Sequence, residues 1–384
     1  MLLTLLLAIT SIDSVVWKGP PRSVTPSLAV GANGGLIVTW LEPLSPEGRY
    51  ALRFSVRQGN TWSAPGTIRE SDRFFVNWAD FGSLAETRDG MWVAHWPEKT
   101  AALPYAYHVM VSTSRNRGRT WTSPRRVHDD SSATEHGFVA LNAGPVGVDL
   151  LWLDGRNTAG ESGEMTVRTR TLGADGSLSR EIELDSRTCE CCQAALARTP
   201  EGLVAAWRDR SAGEVRDIAV ARQENGRWTE PRVVSPDSWE HRACPVNGPA
   251  LVADGRRVDL VWFTGAGGQN RVWLARSADG ARSFGQRIRI DEGKTLGRVD
   301  AEPLGNGDLL VAWLEGKSDQ EAEWRVRTVS ADGRVGPSRS AATVTRARLA
   351  GFPRLARVGS DVFLAYTAPG PDGGVRVLRL GAGR

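Results

Sequence analysis

The chain has 384 residues, 41 % of them apolar, which is enough for one large repeat domain with a sizeable core. Its 48 basic and 44 acidic residues leave a net charge of only +4. Lysine is confined to Lys18, Lys99, Lys294 and Lys317, so nearly all the positive charge is scattered arginine. No basic run is present that would track a phosphate backbone, which excludes a nucleic-acid partner as the expectation.

Residues Leu2 to Ile9 form an apolar run broken only by Thr4. It is too short to span a bilayer and fits the apolar region of a secretory signal. Residues 1–12 are therefore expected to be a signal peptide or a simple anchor, and 13–384 a single domain. The mature protein is expected to be secreted or periplasmic, without a membrane span.

From there the chain is written in period-2 apolar runs, the pattern of β-strands. The clearest run ends in an aromatic seven times, at Trp40, Trp96, Trp152, Trp207, Trp262, Trp313 and Tyr366, with spacings of 56, 56, 55, 55, 51 and 53. A period near fifty, all strand and turn, predicts an all-β propeller. We expect seven four-stranded blades with the aromatic run as the second strand of each; a six-bladed ring with one degenerate unit is the alternative. The last unit, from about Gly351, has room for three strands, and Val15 to Val24 could supply its fourth. Such closure would remove the open edge of a β-array.

A second repeated mark is the turn Ser114-Arg115-Asn116-Arg117-Gly118-Arg119-Thr120-Trp121, seen again as Ser277-Ala278-Asp279-Gly280-Ala281-Arg282-Ser283-Phe284. It resembles the Asp box, S-x-D-x-G-x-T-W, of sialidase-type propellers. The resemblance implies the architecture and leaves the activity open.

Antiparallel order puts the start of each first strand and the end of each second strand on one face. Two residue sets fall there. One lies two positions beyond each aromatic: Glu42, Glu98, Asp154, Asp209, Thr264, Glu315 and Ala368. Their acids are read as a solvated rim paired with arginines, or as a cation or polar-ligand site. The other set opens the inner strands: Asn77, Trp78 and Asp80, then Glu135 and His136, then the Cys189-Glu190-Cys191-Cys192 run. Cys244 to Pro249, Arg298, Asp300 and Arg354 complete it. All four cysteines are thus predicted at one sector of one mouth.

In an exported protein four cysteines default to two disulfides. The other reading is a thiolate site for Cu(I) or Zn(II), drawn from Cys189, Cys191, Cys192 and Cys244 with His136. The Cys-x-Cys-Cys, Cys-Pro-Val-Asn-Gly-Pro and Gly-Arg-Val-Asp segments look like a distinct bacterial subgroup of Asp-box proteins, which implies a shared mouth site. A conventional sialidase is disfavoured. Where that family carries its first arginine this chain reads Val24-Thr25-Pro26, and Tyr50, Tyr105, Tyr107 and Tyr366 lie in strands or loops unlike the nucleophile's setting. Arg208, Arg298 and Arg354, with Asn247 and Asp80, are expected to bind an anionic or glycan ligand. If the protein is an enzyme, a non-conventional glycoside hydrolase or a metal-assisted enzyme, Asp209, Asp300 and Glu135 are the catalytic candidates.

Overall fold

The computed structural model describes residues 9–145, 147–159 and 163–382. Seven antiparallel sheets stand in a ring as a seven-bladed β-propeller. In blades one and four the outer strand is broken into two short pieces paired to the same neighbour. The second strands are near-continuous apolar runs because each is sandwiched between two blades and buried on both sides. Trp40, Trp96, Trp152, Trp207, Trp262 and Trp313 are each at most 1 % exposed. The core divides accordingly: Trp207 packs on Leu151 and Leu153 of the preceding blade, Trp313 on Val261 and Phe263, and Trp40 on Phe363 and Ala365 across the ring closure.

The fourth strand of blade seven comes from the other end of the chain. Ile9–Lys18 pairs antiparallel with Gly374–Ala382, somewhat earlier than the Val15 to Val24 stretch expected. Val24 instead opens blade one. Residues 1–8 of the expected leader lie outside the described residues, while 9–12 belong to this strand. Among the described residues no helix is long and apolar enough to cross a membrane.

The acids two positions past the aromatics divide. Glu42 is part-exposed and pairs with Arg53 at 3.2 Å, as a solvated rim would, and the Trp40 indole beside it has no acceptor among the described residues. Three others are not rim acids. Glu98, Asp154 and Glu315 are buried and accept the indole N–H of Trp96, Trp152 and Trp313 at 3.1, 2.8 and 2.6 Å. A buried indole nitrogen needs an acceptor, and the pleat places residue i+2 on the same side as the ring. In blades four and five that acceptor is supplied by other loops: Asp185 takes Trp207 at 2.8 Å and Asp237 takes Trp262 at 2.7 Å. Asp209 is left over.

On the opposite face, the two marked turns close on their own side chains. Asn116 accepts from the Thr120 amide and Asp279 from the Ser283 amide, both at 2.9 Å.

Candidate functional site

Blades two and three meet through a parallel bridge between Tyr107 and Glu135, with the Tyr107 amide donating to the Thr134 carbonyl at 3.2 Å. Successive side chains point to opposite sides of a strand. Tyr107 and Glu135 therefore share one side, and His108 and His136 the other. The Tyr107 hydroxyl lies 2.8 Å from Asp80 Oδ2 and 2.7 Å from Glu135 Oε1. Phe75 stacks on the phenol at 4.0 Å, and the Phe138 amide donates to Asp80 Oδ1 at 2.9 Å. Gly137 makes this approach possible, because a Cβ there would overlap the Asp80 carboxylate.

A phenol carries one hydrogen, so of two carboxyls hydrogen-bonded to it one retains a proton of its own. Burial pushes both acids up, against the hydrogen bond from Tyr107: Asp80 to about 7 and Glu135 to about 8. The neighbouring charges of Asp80, Cys244 and Glu190 add to the rise at Glu135. Asp80 and Tyr107 are buried, whereas Glu135 is partly open to the mouth.

The cysteines gather beside it. Cys189 Sγ lies 3.2 Å from Cys192 Sγ and 3.9 Å from Cys191 Sγ. Cys191 lies near enough to Cys244 to hold the Cys244 thiol below its ordinary value, and the Asn247 amide donates to Cys192 at 3.4 Å. All four are free, so the two expected disulfides are not formed. The closest pair of sulfurs stands well beyond the bond length of about 2.05 Å. Burial raises the Cys189 thiol, but hydrogen bonds with Cys191 and Cys192 and the Arg216 guanidinium at 3.1 Å outweigh it and hold it well below its ordinary value. Glu190, inside the same run, is clamped by Arg210 and by Arg216 at 3.0 Å.

The expected ligand-binding set divides. Arg208 is 1 % exposed and spends its guanidinium on the carbonyls of Asn247, Arg216 and Phe263 at 2.8, 2.5 and 2.6 Å. Arg298 donates to the carbonyls of Ala347 and Gly351, both at 3.2 Å, and lies over Trp78 at 4.6 Å. Asn247 accepts the Arg298 amide at 2.6 Å and ties blade five to blade six. These three hold the inner loops together. Arg354 does face an axial channel of about 270 Å³, shared with Ser27, Ser83, Gln193 and Asp300.

Asp300 accepts the Leu355 amide at 2.7 Å, and its pKa is raised by burial against the pull of Arg354. Asp209 is lifted to about 6 by burial and by Asp185 beside it. His136 does not join the thiols; it stands with His108 and His128. Burial, then the neighbouring imidazoles, lowers His128 to about 2, and the same causes with Arg126 lower His108 to about 4.

Sequence reasoning did not name His108 or His128, and it named Tyr107 and Glu190 without giving either a role. The available signal was that Tyr107-His108 opens a third strand on the mouth face, as Glu135-His136 opens a first strand there.

No protein-family model matches the sequence, and no curated protein matches it. Solved structures do match over nearly the whole chain. A Dyadobacter fermentans DSM 18053 protein of unknown function aligns at 14 % identity and TM-score 0.57, over 97 % of this chain and 98 % of that one. The polysaccharide lyase Uly1 aligns at 8 % identity and TM-score 0.57, over 95 % and 91 %. Trypanosoma rangeli sialidase aligns at 11 % and 0.51, over 82 % of this chain and 56 % of that one. The chain has a sialidase-like β-propeller fold.

Proposed function

We propose that the protein is an exported, carbohydrate-active propeller that cleaves a glycosidic linkage at its ring mouth, with Glu135 as proton donor and Glu190 as partner carboxylate. The observation that carries this reading is the Tyr107 hydroxyl held between the carboxyls of Asp80 and Glu135 at 2.8 and 2.7 Å. That contact supplies a proton reservoir behind a carboxyl that reaches the mouth. Glu190 is held in place by ion pairs with Arg210 and Arg216. Two carboxyls in opposed environments are what acid–base cleavage of a glycoside needs.

The fold's likeness to a sialidase and a polysaccharide lyase supports a sugar ligand. Arg208 and Arg298 are spent on backbone carbonyls, which supports a neutral or weakly anionic sugar over a sialic acid.

The test is reducing-end release from a panel of neutral and uronate-bearing oligosaccharides by the wild type, Glu135→Gln and Glu190→Gln. Loss of about 10²–10⁴-fold in Glu135→Gln with binding retained is the expected result. Wild-type rates in that variant, or a wild type that neither binds nor cleaves any of the panel, would overturn the reading.

A second reading attaches to the thiols. Tetrahedral coordination with metal–sulfur bonds of about 2.3 Å places sulfurs about 3.8 Å apart, and Cys189 and Cys191 stand at 3.9 Å. Cys189 and Cys192, at 3.2 Å, would have to open by about half an ångström to share Cu(I) or Zn(II) with Cys191. Native intact mass compared with denatured mass tests it: a copper or zinc adduct lost in Cys189→Ser supports a thiolate site, and its absence removes it.

A further inference from the structure

Three of the five histidines meet between blades two and three. His108 lies at the start of the third strand of blade two (Tyr107–Ser114), His128 just past that blade's outer strand (Arg125–Arg126), and His136 opens blade three (His136–Ala143). All three are buried, and one nitrogen from each lies within 4.8 Å of the others. The His128 and His136 rings stack at 3.9 Å and 4°, with His108 edge-on at 4.7 and 5.3 Å.

The hydrogen bonds set the tautomers. His128 Nδ1 lies 3.0 Å from the Asp130 carbonyl, and His136 Nδ1 lies 3.1 and 3.2 Å from the carbonyls of Thr134 and Tyr107. A carbonyl only accepts, so each Nδ1 carries a hydrogen, and in the neutral ring each Nε2 presents a lone pair. His128 Nε2, His136 Nε2 and His108 Nδ1 are buried and make no hydrogen bond. Three unpartnered imidazole nitrogens in one buried cluster are uncommon, since each forfeits about 1–3 kcal/mol. Asp130 Oδ2 adds a carboxylate 3.1 Å from His136 Nε2. A lone pair facing a carboxylate repels it, so a proton or a metal cation must lie between them, and a metal would also use the free nitrogens of His108 and His128.

We propose that His108, His128 and His136, with Asp130 as fourth ligand, form a binding site for a divalent transition-metal ion such as Zn²⁺. Three neutral imidazoles and one carboxylate suit a borderline cation and complete a tetrahedral shell. The carbonyls on the two Nδ1–H groups are the outer contacts that orient such ligands. Asp154 stays outside the shell, held by Trp152 at 2.8 Å and by Arg156 at 2.7 Å. Asp130, its side chain 20 % exposed, gives solvent access. The site uses no cysteine. It lies on the opposite side of the Tyr107 and Glu135 strands from the Asp80–Tyr107–Glu135 contact, so its ion would brace their bridge without touching those three side chains.

The test uses the full chain stripped with a chelator and then titrated with Zn²⁺ or Co²⁺. The wild type should take up one equivalent whose Co²⁺ spectrum shows nitrogen and oxygen ligation without thiolate charge transfer. That equivalent should persist in Cys189→Ser/Cys192→Ser and be lost in His108→Gln/His128→Gln. A wild type with no such Co²⁺ band overturns the proposal whether or not the histidine variant folds. So does a folded histidine variant that retains the equivalent. Uptake confined to a thiolate-type band assigns the metal to the cysteines instead.

Discussion

Tyr107 and Glu135 are joined twice, by a parallel bridge between their backbones and by a 2.7 Å hydrogen bond between their side chains. The backbone contact sets the distance between blades two and three, and the side-chain contact places a proton at that seam. Tyr107→Phe should therefore cost more than one surface hydrogen bond. It leaves the buried Asp80 carboxyl with one partner fewer, a loss of about 1–3 kcal/mol in urea melts. Turnover should fall with it if Glu135 is the acid; an unchanged rate would separate the phenol from the chemistry.

Gly137→Ala probes the same seam sterically. Its methyl would displace the Asp80 carboxylate without altering charge. We expect a folded ring with reduced activity, read by circular dichroism beside an oligosaccharide assay. Full activity would show that Asp80 does not need its present position.

The indole–acid pairs separate structural acids from available ones. Glu315→Ala orphans the Trp313 N–H and should destabilise by about 1–3 kcal/mol, or several degrees of melting temperature. Asp209→Ala removes no indole acceptor, because Asp185 serves Trp207, and should leave the melting temperature nearly unchanged. Equal losses in both would refute the distinction.

The arginines make opposite predictions. Arg208→Ala strips three buried carbonyls of their donor and should unfold the mouth loops, seen as a large fall in denaturation midpoint. Arg354→Ala, lining the channel, should keep the midpoint within about 1 kcal/mol while altering ligand affinity by calorimetry.

Glu302 provides a pH test away from the mouth. Burial and the Asp300 charge, opposed by Arg357, lift its pKa from 4.5 to about 8. Because the folded pKa is raised, the folded chain holds this proton where the unfolded chain has released it. Stability is therefore lost as pH rises from 4.5 towards 8, and the full cost persists above. Glu302→Gln should raise the melting temperature at pH 9 by a few degrees and change it little at pH 4. A pH-independent difference would show that the carboxylate is solvated.

The ring was legible because its signal is local: an aromatic run every fifty-odd residues, with strands buried on both faces. Strand direction alone also grouped Cys189, Cys191 and Cys192, whose sulfurs do stand 3.2 and 3.9 Å apart. What could not be read were contacts between blades. Tyr107 meets Glu135, and His108 meets His136, across a seam whose register depends on the curvature of the closed ring. Strand order predicts which face a residue occupies, and it does not predict which neighbour's side chain it meets there. The same limit explains Arg208 and Arg298: both lie on the expected face, yet nearby loop carbonyls take their hydrogens.

The Ile9–Lys18 strand carries a consequence for biosynthesis. Its partner, Gly374–Ala382, is made after every other described strand, so blade seven stays incomplete until the other six blades have been synthesised. Six blades can form in order while the first strand waits without a mate. A chain shortened by one strand at either end would present an unpaired edge to other molecules. Ring closure should therefore be the late, slow step of folding and the point at which the newly made protein is most open to aggregation.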